Sequence, residues 1–166
     1  PSSLSHFAEE NQEQGGLLGS HIDMLHESPQ GMGIAHDSDN AYWYNDGYYG
    51  ELVHYDFQQD HDTGEDDHSD GIVTRYIEIS LTRNPGVPGH LDMNQGNGML
   101  YVADTGGGRV LWVNTQDPNV TISDIRGAES QMEPLDGYNR ATSVDWGILA
   151  SGLSSPSGIK LHQGVL

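Results

Sequence analysis

The chain has 166 residues, with 25 Asp and Glu against six Lys and Arg, which gives a formal net charge of −19. So acidic a protein repels phosphate, which excludes nucleic-acid binding by backbone neutralisation and attraction to an anionic membrane. It contains no cysteine, so disulfides and thiolate metal sites are excluded as well. The 22 glycines and the lack of a long apolar helical period favour a β-rich protein, and no segment predicts membrane insertion.

Residues 1–32 are polar and read as an N-terminal arm that leads into the rest of the chain. They contain His21 and His26, with two carboxylates nearby. Histidine and carboxylate ligands suit Zn²⁺ or another borderline metal, although this spacing matches no recognised ligand motif. The alternative is that the apolar residues between the two histidines are buried and the histidines are hydrogen-bonded.

A two-strand unit recurs beyond the arm. Residues 41–56 align with residues 99–114 at a constant offset of 58, which pairs Asp46 with Asp104 and Gly50 with Gly108. Each copy reads as a strand that ends in Asp, a Gly-rich turn and a second alternating strand. Because the two aspartates are equivalent in the repeat, we expect them to brace turns rather than to catalyse.

A short motif precedes each strand pair and begins a third copy. It starts near residues 33, 88 and 156, and its apolar anchors are Ile34, Leu91 and Ile159. Residues 72–81 alternate well and predict the outer strand of the first copy. The last three residues match the start of the second strand of a copy, so the third copy is expected to be cut off in mid-strand.

These motifs resemble the NHL-type β-propeller family, whose blades read roughly Pro-x-Gly-Ile followed by Leu-Tyr-Val-Ala-Asp-x-Gly-x-x-Arg-Val. Residues 87–114 match closely, residues 33–56 more loosely, and residues 156–166 only in their opening. The resemblance implies an all-β, six-bladed type of β-propeller with four-stranded antiparallel blades around a central channel. Residues 33–166 would form two blades and the start of a third. They are then a fragment of a larger ring, whose remaining blades come from the same or another chain.

The densest charge lies in the loop expected between the third and fourth strands of the first copy. Residues 56–71 carry seven carboxylates and two histidines, and a bound cation would offset their repulsion. The loop is not an EF-hand, because His68 and Ile77 hold positions three and twelve. Three alternatives stay open: a solvated acidic loop, a transition-metal site that uses His61 and His68, or a cation site formed by Asp66, Asp67, His68 and Asp70.

Two histidines belong to the motifs that open the copies. His90 stands where the other two copies have glycine, at the mouth of an innermost strand and facing the channel. Val87-Pro-Gly-His90 is similar to the pattern of the peptidylglycine amidating lyases, with one extra residue between Pro and His, which implies a metal-binding role for His90. The alternative is that His90 is a hydrogen-bonded structural residue. His36 is a second candidate ligand, or it packs between blades, because its counterparts in the other copies are apolar.

Two functions follow as expectations. The first is a binding or scaffold module of an acidic, secreted NHL-like propeller protein whose loops bind Ca²⁺ or another divalent metal. The alternative is a metal-dependent lyase or hydrolase, in which a His-ligated metal at the channel mouth activates water or polarises a carbonyl. The lack of cysteine fits a cytosolic protein or a secreted one without disulfides, and the sequon Asn119-Val-Thr121 would be glycosylated only in an exported eukaryotic protein. We expect an extracellular or periplasmic setting.

Overall fold

The computed structural model describes residues 30–59, 69–125 and 135–162, so most of the N-terminal arm and the last residues of the third copy lie outside it. The described residues form ten strands and no helix, which confirms the all-β prediction. In chain order the strands are β1 (Gly31–His36), β2 (Ala41–Asp46), β3 (Glu51–Asp56), β4 (Ile72–Tyr76), β5 (Leu91–Asn94), β6 (Met99–Asp104), β7 (Arg109–Asn114), β8 (Thr121–Asp124), β9 (Gly137–Thr142) and β10 (Trp146–Ser151).

The strands form two open sheets. The larger sheet has the order β1-β2-β3-β4-β9-β8, and the smaller has the order β10-β7-β6-β5. All neighbouring strands are antiparallel except β4 and β9, which run parallel. The β8–β9 hairpin lies between β7 and β10 in the sequence, yet it extends the other sheet beyond β4.

The register of the strands reproduces the offset of 58 seen in the sequence. β2 pairs with β3 from Ala41 opposite Asp56 to Asp46 opposite Glu51. β6 pairs with β7 in the same way, from Met99 opposite Asn114 to Asp104 opposite Arg109. The two hairpins therefore correspond residue for residue, and each is flanked by one strand on either side.

Two predicted strands differ from the structure. The outer strand expected over residues 72–81 ends at Tyr76, because the chain turns there and the N–H of Ile79 donates to the Tyr76 carbonyl (3.1 Å). Residues 156–161, expected to open the innermost strand of a third copy, form no strand. The N–H of Leu161 donates to the side-chain carboxylate of Asp92 on β5 and not to a backbone carbonyl.

The central strands of the larger sheet are buried on both faces. On one face its side chains join those of the smaller sheet in a shared core, built around Trp43, Leu52, Leu100 and Leu111. Side chains of the opposite face form a second cluster that includes Tyr44, Tyr55 and Tyr138. Alternation along the strands produces this division, since successive side chains point to opposite faces. Each fully buried leucine contributes about 1.5–3 kcal/mol.

A connecting segment crosses the turn between the second and third strands of each unit. The N–H of Leu81 donates to the Gly50 carbonyl (2.7 Å), and the N–H of Leu153 donates to the Gly108 carbonyl (2.9 Å). Both glycines have positive φ, 72° and 61°. A Cβ at Gly50 would lie 2.5 Å from the Leu81 carbonyl oxygen, and one at Gly108 would lie 2.6 Å from that of Leu153. The repeat requires glycine at both positions because the same crossing occurs twice.

Alanine at Gly108 is therefore expected to destabilise the fold by about 2 kcal/mol or more, from the left-handed backbone and the displaced carbonyl together. Gly86→Ala isolates the backbone cost, because Gly86 has φ 81° but open space around it. Gly158→Ala controls for both effects, since a Cβ there meets nothing within 4 Å. Urea unfolding of the three variants measures the difference, and a Gly108→Ala loss no larger than that of Gly86→Ala would contradict this explanation.

Candidate functional site

Asp46 ends β2, and its side chain is completely buried. Its Oδ1 accepts hydrogen bonds from the N–H of Tyr48 (2.8 Å) and the N–H of Tyr49 (3.3 Å) in the turn that follows. Its Oδ2 accepts from Nη1 of Arg75 on β4 (3.1 Å), which also contacts Oε2 of Glu51 (3.0 Å). The carboxylate thus braces the turn and pairs with a buried cation, as the repeat predicts.

Asp104 does the same at the end of β6, where it is also buried. Its Oδ1 accepts from the N–H of Gly107 (3.1 Å) in the turn and from the N–H of Thr82 (2.7 Å) in the connecting segment. Its Oδ2 accepts from Nε of Arg109 (2.7 Å). The cation that pairs with Asp104 is therefore supplied by the third strand of this unit. The position equivalent to Arg109 in the first unit is occupied by Glu51.

The guanidinium of Arg75 is only 2% exposed and lies among the strands of the larger sheet. Burial alone would lower the pKa of Arg75, but hydrogen bonds to the Tyr138 hydroxyl and to Asp46 outweigh that effect and raise it above its ordinary value. The charge is thus permanent. Its position also places the guanidinium carbon 4.8 Å from the ring centre of Tyr49.

The structure describes His36, His90 and Asp70 among the predicted metal ligands. His36 is exposed at the end of β1 rather than buried between the sheets. Its Nε2 lies 3.0 Å from the Asp39 carbonyl oxygen, and its Nδ1 lies 3.1 Å from Nε2 of Gln95. Both ring nitrogens of His36 are therefore engaged by the protein.

His90 is exposed immediately before β5. Its N–H donates to the Ser157 carbonyl (3.2 Å), and its carbonyl accepts from the N–H of Ala103 (2.9 Å). Asp70 lies just before β4, and its Oδ2 accepts from the N–H of Gln59 (3.1 Å). Across residues 30–59, 69–125 and 135–162, no three His, Asp or Glu side chains form a group that could hold a metal. The other predicted ligands lie outside those residues: His21, His26, His61, Asp66, Asp67 and His68.

A cluster that the sequence analysis missed lies at the β1–β2 turn. Oδ2 of Asp37 lies 3.0 Å from Nε2 of His54 on β3, and each side chain is about one-fifth exposed. The ring of Trp43 lies 4.5 Å from the His54 ring and 4.9 Å from the Tyr76 ring, centre to centre. Burial, and then the charge of Asp37, raise the pKa of Tyr76 to about 12. The repeat offset could have pointed to His54, because Trp112 stands at the equivalent position.

A polar cleft of about 390 Å³ lies where two connecting segments meet over the β6–β7 turn. The N–H of Asn84 donates to Oγ1 of Thr105 (2.8 Å), and Nδ2 of Asn84 donates to Oγ of Ser155 (2.8 Å). These bonds join both connecting segments to the turn. The residues that line the cleft are Thr82, Arg83, Asn84, Thr105, Gly106, Gly108, Leu153, Ser154 and Ser155.

No family model, curated protein or solved structure matches the chain. The similarity to NHL propellers therefore rests on the motifs in the sequence and stays a prediction. Within the part of the chain that the structure describes, no helix has the length and apolar character needed to cross a membrane.

The cluster at the β1–β2 turn predicts a late tyrosine titration. Tyr76 is neutral in the fold, and its folded pKa of about 12 exceeds the ordinary tyrosine value of 10.0. Its contribution to stability is complete below pH 10 and falls by on the order of 2 kcal/mol as the pH rises through 12. Absorbance at alkaline pH should show one late-titrating tyrosine fewer in Tyr76→Phe. In Asp37→Asn the pKa of Tyr76 should fall but stay above 10, since burial is the larger cause. An unchanged pKa in Asp37→Asn would refute the contribution of that charge.

Proposed function

We propose that the chain is a binding or scaffold module made of two β-propeller blades, in an acidic, secreted protein whose loops bind cations. The observation that carries the proposal is the turn arrangement that both units share, in which a buried Asp braces the turn and the carbonyl of a positive-φ Gly accepts from the crossing segment. Two four-stranded antiparallel sets carry this arrangement, β1-β2-β3-β4 and β5-β6-β7-β10. Identical units linked in this way suit a rigid frame that presents variable loops.

Contacts between the starts of the copies support a circular arrangement. The N–H of Gly89 donates to the Met32 carbonyl (2.9 Å), and the N–H of His90 donates to the Ser157 carbonyl (3.2 Å). Met32, Gly89 and Ser157 are equivalent positions of the three copies in the sequence. Equivalent segments that meet side by side are what rotation about a central axis would produce. The remaining blades would come from the same or another chain.

The acidic loop is the part of this module for which we propose cation binding. Oδ1 of Asp56 accepts from the N–H of Gln58 (3.0 Å), and Oδ2 of Asp70 accepts from the N–H of Gln59 (3.1 Å). Two of its seven carboxylates thus fasten the base of the loop. The ends of the loop are also held together, because Asp56 pairs with Ile72. The remaining five carboxylates lie in the sequence between Gln59 and Ser69, outside the described residues, and an oxygen-liganded cation such as Ca²⁺ would offset their repulsion.

Calorimetric titration with Ca²⁺, together with thermal unfolding with and without chelator, tests this function. We expect saturable binding and a stabilisation of about 2.7 kcal/mol at a hundredfold excess over the dissociation constant. Asp66→Asn with Asp67→Asn should weaken binding at least about tenfold, because charged ligands leave the site. The matched control is Asp39→Asn with Asp145→Asn, which removes the same charge elsewhere and should bind Ca²⁺ as the parent protein does.

Two outcomes would change the assignment. If neither Ca²⁺ nor chelator alters the unfolding temperature, the cation-binding loop is wrong. Tight Zn²⁺ binding that His90→Ala abolishes would instead favour the second candidate, a metal-dependent lyase or hydrolase with its metal at the mouth of the channel.

A further inference from the structure

The polar cleft lies over the β6–β7 turn, where the two copies differ in sequence. Gly106 and Gly107 stand at the positions that Tyr48 and Tyr49 occupy in the first copy. A Cβ at Gly106 would lie 2.7 Å from the carbonyl oxygen of Thr82, so only glycine lets the connecting segment rest on the turn. Of the two glycines, Gly106 lines the cleft, so the lining has backbone where the first copy has the Tyr48 side chain.

Arg83 supplies the charge of the cleft. It is exposed, and it is the one ionisable side chain among the lining residues. Arg75, Arg109 and Lys160 each form an ion pair with a carboxylate, whereas Arg83 forms none within residues 30–59, 69–125 and 135–162. A guanidinium with free donors in a polar cleft is suited to a carboxylate, which it can bind through two parallel hydrogen bonds.

Hydroxyl groups line the same cleft as Arg83. Oγ1 of Thr105 accepts from the N–H of Asn84, so the Thr105 hydroxyl hydrogen is available to a further acceptor. Ser154 and Ser155 add two hydroxyls from the second connecting segment, and Leu153 adds one apolar side chain. Neutral donors and acceptors of this kind match the hydroxyl groups of a small polyol.

The backbone is strained at the same place. Ser155 has φ 48°, in the left-handed region that residues other than glycine rarely occupy. Nδ2 of Asn84 donates to Oγ of Ser155, which holds the serine hydroxyl against the first connecting segment. Such outliers cluster at ligand sites, where the surrounding structure fixes a side chain in a costly position.

We propose that this cleft binds a small hydroxylated carboxylate, such as a sugar acid. Arg83 binds the carboxylate, and the Thr105, Ser154 and Ser155 side chains bind hydroxyl groups. A volume of about 390 Å³ accommodates a ligand of one sugar ring. The negative charge nearest the turn, Asp104, is already paired with Arg109, so it does not oppose the ligand locally. The site uses no residue of the acidic loop and does not depend on cation binding.

Titration of the purified chain with glucuronate, followed by NMR chemical shifts at about 0.15 M salt, tests the proposal. Glucose is the matched ligand control, because it keeps the ring and hydroxyls and lacks the carboxylate. We expect glucuronate to bind with a dissociation constant of about 1 mM and glucose at least about tenfold more weakly. The shifted signals should include the amides of Gly106, Ser154 and Ser155.

Arg83→Gln and Lys160→Gln separate the local guanidinium from the overall charge of the protein. Both remove one positive charge, but Lys160 is exposed and pairs with Asp92 outside the cleft. Arg83→Gln should weaken glucuronate at least about tenfold, and Lys160→Gln should leave it within about twofold. Overlay of the amide spectra shows that both variants are folded. Equal binding of glucose and glucuronate, equal loss in both variants, or no binding of glucuronate would each overturn the proposal.

Discussion

In each repeat unit the second strand ends at an aspartate whose carboxylate is buried. The surrounding structure supplies the hydrogen bonds and the cation that this carboxylate needs. An ionised carboxylate without partners is costly to bury, so a fold can retain one only where hydrogen bonds and a cation surround it. Asp46 and Asp104 meet this requirement in the same way on one oxygen, by accepting backbone N–H groups at the turn. The second oxygen takes the guanidinium.

The source of that guanidinium differs between the sheets, and other differences accompany it. In the first unit Arg75 reaches Asp46 from the fourth strand and also contacts Tyr138 on β9, which ties the β8–β9 hairpin to the larger sheet. In the second unit Arg109 lies beside Asp104 at the start of β7, and the carboxylate also holds the connecting segment at Thr82. That segment forms one wall of the polar cleft. The two copies therefore share a buried aspartate paired with a guanidinium, and they differ in the neighbouring segment that this pair contacts.

The repeat predicted the parts of the fold that local pattern encodes. The hairpins β2–β3 and β6–β7, their register and the bracing role of Asp46 and Asp104 follow from the offset of 58. The β8–β9 hairpin does not, because β8 is short and exposed on every residue and β9 joins β4 by a parallel pairing between distant segments. Alternation within a short window cannot reveal a partner that lies 65 residues away, as Gly137 does from Ile72.

The site was less predictable than the fold. The contact between Asp37 and His54 depends on how the β1–β2 turn lies over β3, which is a tertiary effect. Likewise, the space of the cleft depends on two connecting segments that meet over one turn. The sequence does show that the aligned copies differ at both places. His54 of the first copy is aligned with Trp112 of the second, and Tyr48 of the first with Gly106 of the second. Differences between aligned copies were thus more informative about sites than the conserved pattern.

One double-mutant cycle tests directly whether each buried aspartate needs a guanidinium, wherever it comes from. Arg75 lies opposite Val53 on the neighbouring strand, and in the second unit Ile148 lies opposite Leu111, the equivalent of Val53. Arg75→Ile therefore gives the first unit the residue that the second unit has at this position. This variant should lose about 3–5 kcal/mol in urea unfolding, because Asp46 stays buried without a cation. Glu51→Arg, which copies Arg109, should then restore at least about 1 kcal/mol, although it destabilises the parent protein by placing two cations together. If Glu51→Arg has the same effect in both backgrounds, the aspartate does not depend on the guanidinium and the account is contradicted.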